Sequence, residues 1–230
     1  MQIRVEYEKR AEVRYISHLE LMNTLRRAIR RADIPAGYSG GYNPRINLAL
    51  SQPLSVGMTG RAEYFDLELE RKIETEKFIN KMRNSLPGAI NPRQAKIIDD
   101  NCSSLQAVVD TAIYRIRMKF KGKINAEKVI TEFMDLSVIK IKRERRNKED
   151  RVLDLKPLIY AICPVTEGIW DFTVATGSRG NVRPGEPVTA LAERYEQIKE
   201  VSPANIERRG LFIRKNDHLV TPLDDAVIGR

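Results

Sequence analysis

Residues 64–70 read YFDLELE, in which Phe65, Leu67 and Leu69 alternate with Asp66, Glu68 and Glu70. Strict alternation of apolar and charged side chains predicts a β-strand with one face in the core and the other in solvent. In a sheet whose first and third strands are neighbours, Arg4 can pair with the acidic stripe. We therefore favour a structural role for the stripe over a metal site or an acid–base pair.

The segments around this strand predict the order β-α-β-β-α-β. Residues 2–7 alternate as a half-buried strand, and Ser17 with Glu20 forms a capping box that begins a helix ending near Ala32. The apolar stripe of this helix comprises Leu19, Met22, Leu25, Ile29 and Ala32. If the extended pieces between 46 and 58 count as one strand, a second helix over 75–86 and a strand over 94–98 complete the ferredoxin-like split βαβ pattern.

The second half begins in a related way, with a strand over 112–120 and a helix over 125–136. The strand has two distinct faces, one of which carries Ile113, Arg115, Arg117 and Lys119. We expect an α+β protein of two ferredoxin-like units with mainly antiparallel sheets. The polar segment near 99–106 divides them into residues 1–104 and 105–230, and the strand order of the second unit stays open.

The 230 residues include 40 Lys and Arg against 31 Asp and Glu, which gives a formal charge of +9. The excess is regional, because residues 101–160 carry 14 basic and 8 acidic side chains, whereas residues 161–230 carry 9 and 10. This composition excludes a disordered tail and a membrane-spanning protein. The charged N-terminal residues lack a signal peptide's apolar run, so we expect a cytoplasmic protein and plausible polyanionic partners.

The chain has two cysteines, Cys102 and Cys163, and two histidines, His18 and His218. These numbers exclude a disulfide framework, a three-thiolate cluster and a three-histidine metal site. We expect neither a metal nor a cofactor in this chain. His18 lies near the apolar arc of the first helix, where a hydrogen-bonded, partly buried role is favoured over general-base catalysis.

Four arginines occupy one flank of the first helix: Arg26, Arg27, Arg30 and Arg31. No acidic residue lies between Glu20 and Asp33 to neutralise them. Guanidinium groups match phosphate geometry, so we favour anion binding over a merely solvated helix face. The run Lys140–Arg146 also holds five basic residues in seven, and we interpret it as a solvated hairpin.

Two loops share glycine, asparagine, proline and arginine. Residues 37–45, GYSGGYNPR, contain Tyr38, Tyr42, Asn43 and Arg45; residues 177–184, GSRGNVRP, contain Arg179, Asn181 and Arg183. Glycines let backbone amides converge on an anion, and the tyrosines can stack on bases. Ordinary turns are an equal alternative, and neither loop has a P-loop ending.

Three segments carry a family resemblance: Arg14–Leu21 (RYISHLEL), Gly41–Arg45 (GYNPR) and Glu63–Leu69 (EYFDLEL). Together with the loop at 177–184, they resemble the radical-SAM-linked protein family, a domain of unknown function. The resemblance spans nearly the whole chain and implies a separately encoded radical SAM partner rather than a reaction. It includes Arg14 and His18 among the characteristic positions.

The sequence therefore predicts an accessory module that works with a radical SAM protein and binds RNA, either tRNA or ribosomal RNA, through a basic face. Two alternatives stay open. An enzyme acting on a phosphorylated small molecule or nucleotide would gather Arg14, His18 and the 37–45 loop around one closed pocket. A protein-interaction subunit would use its arginines to dock an acidic partner.

Overall fold

The computed structural model describes residues 1–144, 149–216 and 218–228, apart from the side chain of Arg179. Arg145 and Arg146 of the basic run lie outside the described residues. The strands are β1 (Gln2–Lys9), β2 (Leu48–Leu50), β3 (Thr59–Glu68), β4 (Ile90–Ile98), β5 (Thr111–Arg117), β6 (Lys119–Phe120), β7 (Lys140–Arg143), β8 (Arg151–Asp154), β9 (Ile159–Thr166), β10 (Ile169–Ala175), β11 (Ile198–Lys199), β12 (Ile206–Lys215) and β13 (His218–Val220). The α-helices are α1 (His18–Arg31), α2 (Thr75–Ser85), α3 (Leu105–Val108), α4 (Ala126–Met134), α5 (Glu186–Arg194) and α6 (Asp225–Ile228).

One nine-stranded sheet runs through both halves of the chain in the order β4-β1-β3-β12-β5-β10-β9, with β2 paired to β3 and β13 paired to β12. The pairing of β3 with β12 is parallel, whereas the other strands of this sheet pair antiparallel. The mixed α+β class with mainly antiparallel sheets is thereby confirmed. Short two-stranded ribbons join β6 to β11 and β7 to β8.

Two apolar clusters lie against this sheet. One is drawn from residues between Ile3 and Ile90 and includes the buried side of α1 and α2. The other is built around Trp170 and Phe133 and takes Met58 and Tyr64 from the first half. The sharing of residues across the β3–β12 contact ties the two halves together in one sheet. Among the described residues, no helix combines the length and apolar character needed to cross a membrane.

The first helix begins as the sequence predicts. The Ser17 hydroxyl accepts from the Glu20 amide at 3.2 Å, and the Glu20 carboxylate accepts from the Ser17 amide at 2.7 Å. The predicted apolar stripe is wrong at Leu19, which is 64% exposed, whereas Leu21 is buried. Leu21 lies one turn before Leu25, in line with the buried row, and Leu19 points elsewhere on the helix.

The predicted pairing of Arg4 with the acidic stripe is confirmed. Arg4 faces Asp66 across β1 and β3, and its guanidinium donates to both carboxylate oxygens at 2.8 and 2.9 Å. Asp66 is buried rather than solvent-facing, because this side of the strand is covered by the chain near Ser103 and Pro222. The carbonyls of Ser103 and Pro222 also accept from the Arg4 guanidinium, and both members of the pair are buried.

Candidate functional site

Three arginines line an open groove of about 400 Å³ on one face of the sheet: Arg14, Arg115 and Arg117. Arg115 and Arg117 come from β5, where they alternate with the buried Tyr114 and Ile116. Alternation along the strand therefore places both guanidinium groups on the side that the core does not use.

The position of Arg14 is fixed by its backbone rather than by its side chain. Its carbonyl accepts from the Gly57 amide at 2.9 Å and from the buried Lys9 ammonium at 3.2 Å. Within the described part of the chain, its guanidinium donates to the Ala11 carbonyl alone, at 3.0 Å. The chain thus delivers Arg14 to the groove from the turn between β1 and α1.

Two acidic side chains are paired with arginines at this face: Glu207, which lines the groove, and Asp171, the partner of Arg115. Arg115 makes a bidentate pair with Asp171 at 2.8 and 2.7 Å, and the hydrogen bonds to that carboxylate raise the pKa of Arg115. Glu207 pairs with Arg61 at 3.2 Å and with Arg209 at 2.9 Å. Arg117 is exposed and makes no ion pair with any described residue. The face therefore keeps an excess of positive charge that is accessible to solvent.

Behind the groove, a buried ion pair fastens β12 to β3. Arg208 and Glu63 are 1% and 3% exposed, and the guanidinium bonds both carboxylate oxygens, with the Nε–Oε1 distance at 2.8 Å. The Gln52 carbonyl accepts from the same guanidinium at 2.8 Å. Burial alone lowers the pKa of Arg208, but the charge of Glu63 outweighs it and raises the pKa above its usual value. This buried pair joins β12 to β3 and is not accessible to a ligand.

His18 lines a nearly closed cavity of about 10 Å³ together with Tyr7, Lys9 and Glu63. The space has room for at most about one water molecule. Burial lowers the pKa of His18 and is the main cause of the lowered pKa of Lys9. His18 is thus separate from the arginine groove, and this cavity is too small for a substrate.

The arginine flank of α1 leads toward the end of α2. Arg27 donates to the Thr24 hydroxyl at 3.3 Å, and Arg31 donates to the Ser85 carbonyl at 2.6 Å. Arg27, Arg30 and Arg31 are exposed, whereas the Nε atom of Arg26 is buried without a hydrogen-bond partner among the described residues. None of these contacts uses a carboxylate, so the flank keeps its charge.

The two glycine-bearing loops lie at opposite ends of β2. Gly37 accepts from the Asn47 amide at 3.0 Å, just before that strand, and Gly177 lies against Gln52, just after it. In the 37–45 loop, Tyr38 and Tyr42 are 44% and 99% exposed, and Asn43 and Arg45 are also exposed. In the 177–184 loop, Asn181 and Arg183 line a larger cavity of about 540 Å³.

The predicted site residues are therefore spread over several places. Arg14 lies in the groove, His18 at the small cavity, and Asn181 with Arg183 at the larger one. The α1 arginines and the tyrosine-bearing loop lie elsewhere. Arg115 and Arg117 were not among the predicted site residues. The alternation of β5 was the signal for them, because it already placed both on one face.

Residues 2–184 match the model of a family described as an uncharacterized protein conserved in bacteria (DUF2344). The chain belongs to this family. No curated protein matches this family member. Among the described residues, no three or more His, Cys, Asp or Glu side chains are grouped to hold a metal ion.

A solved structure titled "Crystal Structure of a Cbf5-Nop10-Gar1 Complex" contains a chain similar to this family member, with a TM-score of 0.53 and 13% sequence identity. The likeness covers 98% of this chain and 53% of that chain, so the family member spans about half the length of its structural neighbour. At this identity the two share a fold.

Proposed function

We propose that this protein binds RNA, either tRNA or ribosomal RNA, and that the phosphates lie in the groove of Arg14, Arg115 and Arg117. The observation that carries the proposal is the convergence of three guanidinium groups, from two distant segments, on one open face. Arginine recognises phosphate oxygens through paired N–H donors, and a solvent-open groove suits a continuous backbone. Tyr15, which is 71% exposed beside Arg14, offers a ring on which a base can stack.

An open groove supports RNA over a small phosphorylated substrate. The enzyme alternative requires Arg14, His18 and the 37–45 loop around one closed pocket, whereas Arg14 and His18 line different spaces. The space beside His18 is about 10 Å³, which is too small for a phosphorylated metabolite. A charged sheet face with an open groove is the kind of surface on which single-stranded RNA is bound.

The α1 flank is the rival location for the same activity. There Arg26, Arg27, Arg30 and Arg45 would hold phosphates while Tyr38 and Tyr42 stack on bases. In its favour, Tyr42 is 99% exposed and the flank makes no described bond to a carboxylate. The groove is preferred because Arg115 is already oriented by Asp171, which lowers the entropy lost when a phosphate is bound.

We further propose that the protein works in the cytoplasm beside a separate radical SAM protein. The RYISHLEL and GYNPR segments support this pairing through the family resemblance. With only Cys102 and Cys163, this chain cannot supply the three thiolates of such a partner's cluster, so its part would be to present RNA. The orders β4-β1-β3-β2 and β12-β5-β10-β9 support two ferredoxin-like units, divided near residue 104.

The test compares two double variants that each remove two positive charges: Arg14→Gln/Arg117→Gln in the groove and Arg27→Gln/Arg30→Gln on the α1 flank. Affinity for a labelled single-stranded oligoribonucleotide is measured at low salt. We expect the groove variant to bind about tenfold more weakly or worse, since two charged hydrogen bonds are lost. The flank variant should stay within about twofold, because each phosphate contact acts locally.

A loss of RNA affinity confined to the flank variant would place the binding site on α1 and overturn the proposal that RNA binds in the groove. Failure of the wild-type protein to bind RNA at low salt would overturn RNA binding altogether. In that event, capture of an acidic protein that only the groove variant releases would identify the arginines as a protein-docking surface.

A further inference from the structure

The larger cavity, lined by Asn181 and Arg183, lies between the two halves of the chain. Neither the family nor the proposed RNA groove accounts for it. Its volume is about 540 Å³, within the range of small-molecule sites. One wall comes from the segment at 52–58 and the other from residues 176–185. The floor is the buried Tyr114 of β5, whose hydroxyl lies 3.5 Å from the Arg208 guanidinium.

Most of the lining is apolar. Buried side chains contribute Met58, Val182 and Ile206, and three prolines lie along the walls: Pro53, Pro184 and Pro203. Proline rings and aliphatic side chains give an apolar surface against which the face of an aromatic ring can pack. This character favours an aromatic ring system as the part of a ligand that enters.

The rim adds polar residues whose backbone is held in place by hydrogen bonds. The Arg143 guanidinium donates hydrogen bonds to both carboxylate oxygens of Glu186, at 2.6 and 2.7 Å, and to the Asn181 carbonyl at 2.9 Å. The same carboxylate accepts from the Arg183 amide at 2.8 Å. The backbone of the 177–184 loop is therefore pinned. The Arg183 guanidinium is 4.0 Å from Glu186, and that carboxylate is already bound to Arg143.

The exposed side chains of Asn181 and Arg183 thus lie on a fixed backbone beside the apolar lining of the cavity. A side-chain amide can donate to and accept from the edge of a base, and a guanidinium can hold a phosphate bidentately. A ligand that matches both combines a planar heterocycle with an anionic group.

We propose that this cavity binds a single ribonucleotide, with the base against Tyr114 and Met58 and the phosphate at Arg183. Two sources carry this chemistry, a free nucleoside monophosphate and one nucleotide of an RNA chain. The cavity adjoins the arginine groove, since Pro203 lines the cavity, Ala204 and Asn205 line the groove, and Ile206 lines both. The proposal extends the RNA function but does not require it.

The experiment titrates the full chain with the four ribonucleoside 5′-monophosphates and, separately, with a short oligoribonucleotide. Ser55→Trp fills the cavity from an exposed position on its lining, and Arg183→Gln removes the rim charge. The matched controls are Ser137→Trp and Arg194→Gln, which make the same changes at exposed positions outside the cavity.

We expect at least one monophosphate to bind saturably, with affinity falling about tenfold or more in Ser55→Trp and Arg183→Gln and within about twofold in both controls. If the bound nucleotide belongs to RNA, Ser55→Trp also weakens the oligoribonucleotide. If the groove holds the RNA chain, Arg14→Gln/Arg117→Gln lowers the affinity for the oligoribonucleotide but not for the monophosphates. The two proposals are therefore tested by different measurements. Absence of saturable binding by any monophosphate, or equal losses in Ser55→Trp and Ser137→Trp, would overturn the nucleotide site.

Discussion

Two sets of arginines in this protein have opposite surroundings. Arg4 and Arg208 are 0% and 1% exposed, and each binds a carboxylate through two bonds and also donates to backbone carbonyls. Arg14 and Arg117 lie on an open groove, where Arg14 bonds one carbonyl and Arg117 makes no described ion pair. The first set holds strands together and is buried, whereas the second is accessible to a binding partner.

This difference shows why a net charge of +9 is a poor guide to a binding surface. Glu63 and Asp66 neutralise arginines that no ligand can reach, so the interior pairs contribute nothing to the external field. What remains outside depends on which arginines lack an acid. A buried charge that loses its partner costs much more than an exposed one, and this contrast can be tested directly.

The largest effect is expected at the buried pair. Arg208→Met leaves the Glu63 carboxylate enclosed without its partner, and we expect the free energy of unfolding to fall by about 3–5 kcal/mol. Urea denaturation followed by circular dichroism measures the change. A loss below about 1 kcal/mol would show that the two sets of arginines do not differ as described.

The double variant Arg208→Met/Glu63→Leu separates the lost pair from the lost packing. Removing both charges removes the uncompensated carboxylate, so we expect this protein to recover most of the stability that the single variant loses. A double variant as unstable as Arg208→Met alone would place the cost in packing rather than in charge.

A smaller effect is expected from the two glycine loops. Gly177 has a φ of +77°, and a Cβ atom there would lie 2.6 Å from the Val109 carbonyl, so Gly177→Ala should destabilise the fold by about 1–3 kcal/mol. At Gly40 an added Cβ meets nothing within 4 Å, so Gly40→Ala should change stability by less than about 0.5 kcal/mol. Thermal unfolding of both variants measures the difference, and equal shifts in melting temperature would contradict it.

A pH effect is expected at the cavity beside the buried pair. Burial lowers the pKa of His18 in the folded protein, so the unfolded chain takes up its proton first as the pH falls. The contribution of His18 to stability is therefore present above its ordinary pKa near 6.5 and declines below it. The gap in unfolding free energy between wild type and His18→Gln should shrink from pH 8 to pH 5.5; a gap that widens would contradict this environment.

The smallest stability effect is expected on the open groove. Arg117→Gln removes a charge that no described carboxylate holds, so the free energy of unfolding should stay within about 0.5 kcal/mol of wild type. Urea denaturation under the same conditions as for Arg208→Met gives the comparison. A loss above about 2 kcal/mol would mean that Arg117 belongs with the structural set.

Local patterns predicted much of this structure. The capping box at Ser17 follows from a local rule of helix capping, and the pairing of Arg4 with Asp66 follows from the expected neighbourhood of the first and third strands. The alternation of β5 likewise placed Arg115 and Arg117 on one face. Leu19 was misplaced because several apolar residues near the helix start fit neighbouring stripes, and only packing chooses between them.

The junction of the two halves could not be predicted in this way. Arg208 and Glu63 are 145 residues apart, and no local periodicity signals that the two strands become neighbours. The convergence of Arg14 with Arg117 has the same origin, because it depends on how β1 leads into α1 beside β12. Which residues line the groove and the larger cavity therefore depends on the tertiary fold and not on local sequence patterns.

The most direct measurement is the salt dependence of RNA affinity for the wild type and for Arg14→Gln/Arg117→Gln. Phosphate contacts release counterions, so we predict that wild-type affinity falls steeply with salt and that the logarithmic slope is shallower by about two in the variant. A wild-type affinity that does not change with salt, or a slope unaltered by loss of both arginines, would contradict RNA binding in the groove.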